Sequence, residues 1–112
     1  MLASMRTWSA VCSLDDLDRE HGTPVDVDDQ PVALFRLADD SVVAVHDGAP
    51  VAELAAGEVG TRDGEPTVTV PATHQVWSLA TGACLDPAGH DAEPLVLHDV
   101  DVRRSVVLVA SA

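Results

Sequence analysis

Turn-forming residues interrupt this chain so often that the apolar runs between them can be strands but hardly long helices. "TPVDVD" alternates at Val25 and Val27, and "QPVALFRLAD" carries Val32 and Leu34 before stopping at Asp39-Asp40-Ser41. "SVVAVHD" then reads as the return strand of a hairpin. Beyond Asp47 the pattern changes to loop chemistry: Gly48, Gly57, Gly60 and Gly64 are interleaved with Pro50 and Pro66. Within it "AELAA" is helix-compatible, although the flanking glycines leave it little room. "PTVTVP", "HQVWSLATG", "LVLHDVDV" and "SVVLVAS" follow as strands, the last two separated at Arg103-Arg104. Near the start, Ser13 is placed to cap a short turn through "LDDLDRE". The pattern predicts about eight or nine short strands with turn signals every ~8–12 residues, hence an all-β antiparallel sandwich or small barrel.

At 112 residues the chain is expected to form a single domain over 1–112, and an apolar fraction of 46% suits a packed core. Nineteen acidic residues oppose six basic ones, for a net charge of −13. Such a surface repels phosphate backbones and anionic lipid, so neither nucleic acid nor membrane is an expected partner. No apolar run approaches the ~18–20 residues of a membrane span, and "MLASMRTWSA" lacks the apolar region of a secretory signal. The expected location is cytoplasmic. All six basic residues are arginine, and Lys, Ile, Asn and Tyr are absent, a bias that a GC-rich bacterial genome explains.

Metal and catalytic motifs are weak. Cys12 and Cys84 lie far apart with no Cys-x-x-Cys, so zinc or iron–sulfur ligation by cysteine is not indicated and two small buried side chains are expected. His46, His90 and His98 each adjoin an aspartate, but no two histidines have the spacing that puts both on one face of a strand or helix turn. His46 and His74 would form a mononuclear site only if their loops converged, and hydrogen-bonded or surface histidines are the plainer expectation. The paired acids Asp15-Asp16, Asp28-Asp29 and Asp39-Asp40 sit where turns need them, and no Gly-x-Ser-x-Gly elbow or phosphate-binding glycine loop occurs. No catalytic residue is therefore assigned. Trp77 is expected in the core, and Trp8 over one end of the sandwich.

The order of parts is more specific than any single motif. "VALFRLADDSVVAVHD" is followed by a proline loop, "LAAGEVG", a strand, Val70-Pro71-x-x-His74, and the aromatic strand "WSLATGACL". Over nearly the whole chain this resembles the Rieske-type iron–sulfur domain, and within it the small subunit of the assimilatory NAD(P)H-dependent nitrite reductase. The implied fold is a Rieske-like sandwich with a smaller ligand-loop subdomain, about residues 46–82, inserted in it.

A Rieske cluster takes Cys-x-His from one loop and Cys-x-x-His from another. In the register set by Pro50 and Pro71, those positions are Ala49 and Val51, then Val70 and Thr73. None can ligate iron, and His74 lies one place beyond the last. The resemblance thus implies a domain that has lost its cluster, with no cofactor of its own. It also implies a large partner carrying siroheme, FAD and an iron–sulfur cluster, which reduces nitrite to ammonium. This chain would dock on that partner, with Pro50, Val51, Pro71, Ala72 and His74 as the candidate contact. The alternative from the sequence is a decayed Rieske-like accessory or interaction module in an oxygenase-like or biosynthetic system.

Overall fold

The computed structural model describes residues 8–47, 49–89 and 91–110. Gly48 and His90, both singled out in the sequence, lie outside the described residues. β1 (Trp8–Ser13) leads into a single 3-10 turn over Leu14–Asp16. Ser13 caps it: its hydroxyl accepts from the Asp15 amide, and the Asp16 carboxylate accepts from the Ser13 amide. β2 (His21–Val27), β3 (Gln30–Arg36) and β4 (Val42–His46) form a meander. α1 (Val51–Ala55) and the hairpin β5 (Glu58–Arg62) and β6 (Glu65–Thr69) come next. The chain ends in β7 (Val76–Ser78), β8 (Cys84–Asp86), β9 (Val96–His98), β10 (Val100–Arg103) and β11 (Val106–Ala110).

Three antiparallel sheets result, in the orders β1-β11-β10, β2-β3-β4-β9 and β5-β6-β7-β8. The second is the middle layer. On β3, Val32 and Leu34 join Leu17, Val27, Ala44, Val107 and Val109 on the side of the first sheet. Ala33 and Phe35 point the other way and pack with Val45, Leu54, Val68, Trp77 and Leu79. Val32 through Phe35 therefore have no exposed surface, which is why "VALF" is an unbroken apolar run and not an alternating one. β2 closes the open edge of this layer, and its Pro24 is tolerated there because an edge strand leaves donors unpaired.

The all-β antiparallel expectation holds, with three refinements. "LVLHDVDV" is two strands: β9 pairs with β4 and β10 with β11, so the chain changes sheets at Asp99. The Asp99 carbonyl at that switch accepts the Ala110 amide at 2.9 Å. "AELAA" does form a helix, because Leu54 is fully buried in the second core and that packing outweighs the flanking glycines. Cys12 and Cys84 are half-buried free thiols, short of the full burial expected.

The acid pairs behave as turn residues. Asp28 and Asp29 (φ 49° and 66°) close the β2–β3 hairpin, and Asp40 (φ 70°) closes β3–β4. Asp40 also receives Arg19 Nε at 2.7 Å and Arg36 Nη2 at 2.9 Å. Those guanidinium bonds hold its carboxyl down at about 2. Arg36 Nη1 donates to the carbonyls of Leu14 (3.1 Å) and Leu17 (2.9 Å), tying the capped turn to β3.

Candidate functional site

The two loops singled out in the sequence emerge from neighbouring layers and settle on one core. The first leaves β4 at His46 and turns at Asp47 (φ 61°), where the Ala49 amide donates to the Asp47 carbonyl at 2.8 Å. Pro50 then caps α1 through its backbone, accepting the Leu54 amide at 3.0 Å, with no side-chain cap. Ala49 and Val51 are half-buried against the core that holds Leu54 and Trp77, while Pro50 is exposed.

The second loop leaves β6 at Val70. The Val70 amide donates to the Gln75 carbonyl (2.9 Å) and the Val70 carbonyl accepts the His74 amide (2.8 Å), closing a tight loop over Pro71–His74. His74 completes it in a left-handed conformation, φ 63°, with its side chain exposed. Thr73 Oγ1 donates to Gln75 Oε1 at 2.9 Å. Two further bonds pin the following segment across the loop: Gln75 Nε2 to the Asp91 carbonyl (3.2 Å) and Trp77 Nε1 to the Glu93 carbonyl (2.9 Å).

The four positions at which the resemblance seats ligands thus have different fates. Val70, with 1% exposure, is a core residue, in the cluster that holds Leu54, Val68 and Leu95. Ala49 and Val51 pack partly inward, and Thr73 is engaged with Gln75. A [2Fe–2S] centre does not fit these residues. They supply neither thiolate nor imidazole, and Val70 is itself buried in an apolar core. Among the described residues, no group of three or more His, Cys, Asp or Glu is placed to hold a metal ion. Of the candidate contact residues, Pro50, Pro71, Ala72 and His74 are exposed or nearly so and Val51 is half-buried.

His46 does not meet His74. It meets His98 on the neighbouring strand, Nδ1 to Nε2 at 2.7 Å, with both residues 8% exposed. His98 Nδ1 lies 2.8 Å from the Ala110 carbonyl at the end of β11. That carbonyl can only accept, so His98 carries its proton on Nδ1 and its Nε2 accepts the Nδ1–H of His46. His46 Nε2 is left facing Asp47 Oδ2 at 3.6 Å. Burial pushes the His46 imidazole below the usual histidine range, against the pull of the Asp47 carboxylate and together with repulsion from His98. Sequence reasoning missed this pair and the Asp91–Glu93 strap. The register that sets Ala44 opposite His98, and so His46 diagonal to it, leaves no trace in local spacing.

Comparison with known proteins fits this architecture. Residues 7–110 match the Rieske-like [2Fe–2S] domain, and the chain belongs to that family. Among solved structures, it is similar to an NADH-dependent nitrite reductase small subunit from Mycobacterium tuberculosis. Identity there is 33%, covering 97% of this chain and 98% of that one, with a TM-score of 0.84. The E. coli protein NirD is 27% identical over 96% of this chain and 99% of its own, with a TM-score of 0.81. The ferredoxin of carbazole 1,9a-dioxygenase from Nocardioides aromaticivorans is 29% identical over 95% and 99%, with a TM-score of 0.74. No curated protein matches the chain significantly. No helix among the described residues is long and apolar enough to cross a membrane.

Proposed function

We propose that this chain is the small, non-catalytic subunit of an assimilatory NAD(P)H-dependent nitrite reductase. It docks on a large cytoplasmic subunit that carries siroheme, FAD and an iron–sulfur cluster and reduces nitrite to ammonium. The observation that carries the reading is end-to-end likeness to a nitrite reductase small subunit at 33% identity, in a chain whose ligand loops hold Ala49, Val51, Val70 and Thr73. A domain without a redox centre contributes to such an enzyme by binding. The loops are suited to that: hydrogen bonds within 70–75 and across to 91–93 fix their shape before any partner arrives. Pro50, Pro71, Ala72 and His74 form the exposed contact and Val51 supports it from below. A tagged chain purified from its source cells should retrieve a large siroheme flavoprotein. Deletion of the chain with nitrite reduction unaltered would sink the proposal.

A second reading is supported by the likeness to the carbazole dioxygenase ferredoxin. In it the chain is an accessory module of an oxygenase-like or biosynthetic system, and nitrite is irrelevant. Retrieval of an oxygenase in place of a siroheme protein would favour it.

A further inference from the structure

We propose that the His46–His98 pair is a one-proton latch, which holds the end of β11 and the base of the first loop to the middle sheet and opens when a second proton arrives. The pair lies outside the exposed docking contact, and the latch stands or falls independently of the proposed function.

Three strands meet at the pair. His46 ends β4, His98 ends β9, and the Ala110 carbonyl ends β11, which belongs to the other sheet. The chain of bonds runs one way, from His46 Nδ1–H to His98 Nε2 and from His98 Nδ1–H to the Ala110 carbonyl. One titratable nitrogen remains outside it: His46 Nε2, which faces Asp47 at 3.6 Å. A first proton taken there leaves both bonds intact and gains the Asp47 carboxylate as a neighbour. A second has only His98 Nε2 to go to, and that nitrogen is the acceptor of the 2.7 Å bond. Two N–H groups would then point at each other, and two buried imidazolium charges would face one another.

β3 presents Ala33 and Leu34 opposite Val45 and Ala44, with no titratable side chain. Asp99 follows His98 at the sheet switch, and on β10 Asp101 is bonded to Arg103 Nε at 2.6 Å. Asp47 faces His46 on the Nε2 side, away from the N–H···N bond. Opening therefore frees the segment that begins at Asp47 and leads into Pro50, together with the β9 and β11 ends.

The sign follows from His46, whose folded form is harder to protonate than its unfolded form. Global stability is therefore highest above the unfolded histidine value of ~6.5 and declines as pH falls through the lower folded value of His46, while both hydrogen bonds persist. The latch itself opens only at the second proton, at lower pH still.

Long-range ¹H–¹⁵N spectra of the imidazoles, recorded on the full chain from pH 8 to 4.5, read the latch directly. Both rings should be Nδ1–H tautomers at pH 8, and His46 should take the first proton at Nε2. Amide exchange at 46–47, 97–98 and 110, corrected for intrinsic rates, should stay protected through that step. It should then rise together by about tenfold or more on the second proton. Nε2–H tautomers, or two independent titrations with exchange unchanged, would overturn the proposal. His46→Asn supplies a second reading. Its side-chain NH2 replaces the Nδ1 donor, and a flipped amide accepts from protonated His98, so the acid step should shift to lower pH or vanish. A His46→Asn chain that opens at the same pH as the parent would contradict the latch.

Discussion

Replacing Trp77 by Phe tests whether its indole pins the segment at 91–95. The indole has no exposed surface, packs between Val68, Phe35 and Leu79, and donates from Nε1 to the Glu93 carbonyl at 2.9 Å. Phenylalanine keeps the apolar contact on one side but is ~40 Å³ smaller, which at ~24 cal/mol per Å³ costs about 1 kcal/mol of cavity. The lost transfer of those atoms adds roughly another 1 kcal/mol. Loss of the hydrogen bond adds about 0.5 kcal/mol, toward the low end because water can reach the Glu93 carbonyl. The sum is about 2.5 kcal/mol, or a fall in Tm of ~10 °C for a domain of this size. Urea unfolding followed by far-UV circular dichroism should show the loss as a lower midpoint at unchanged slope. Hydrogen exchange should show residues 91–95 losing protection before the rest of the second core. Trp8→Phe is the control: Trp8 is 45% exposed on the first sheet and its replacement should cost under ~0.5 kcal/mol. A Trp77→Phe protein within about 3 °C of the parent, or with 91–95 unchanged, would refute the claim that the indole pins that segment.

Other substitutions probe the turns. Gly82 has φ +82°, and an added Cβ would run into the Leu95 carbonyl and come 2.8 Å from Leu97 Cδ1, so Gly82→Ala should destabilise by about 3 kcal/mol in urea unfolding. His74 occupies the left-handed region without using its ring: His74→Gly should be neutral within ~0.5 kcal/mol, and His74→Val should lose roughly 1–2 kcal/mol. A Val variant as stable as the parent would mean the loop is not closed as described. The Asp40 carboxyl should titrate at about 2 by NMR. Because it is depressed, its contribution to stability is present above the ordinary value of 3.8 and is lost as pH falls through about 2. Asp40→Asn should flatten that part of the acid limb, and titration at the ordinary carboxylate value would contradict the Arg19 and Arg36 bonds.

What could be read in the sequence was whatever depends on neighbouring residues. Alternation at Val25 and Val27, the Asp39–Ser41 turn and the Ser13 cap are local signals, and the structure uses each of them. The order of hairpin, proline loop and aromatic strand was enough to suggest the family that the whole-chain match shows. Contacts between distant segments were not legible. "LVLHDVDV" looks like one strand because nothing local marks Asp99 as the point where the chain changes sheets. Val70 reads from the sequence only as a former ligand position, and it is the cluster with Leu54 and Leu95 that makes it core. His46 and His98 are separated by 52 residues and meet through strand register alone. The helix over Val51–Ala55 was undervalued for the same reason, since tertiary burial of Leu54 stabilises it more than propensity does.

In the proposed function this chain serves a reductase by docking on it. The direct measurement is nitrite-dependent NAD(P)H oxidation by the large siroheme flavoprotein from the same cells, with and without this chain, alongside sedimentation of the mixture. The account predicts a stable complex and a higher rate with the chain present, both weakened by replacing Pro71 and Ala72 with charged residues. Two species that sediment separately, with the same rate whether or not the chain is added, would contradict it.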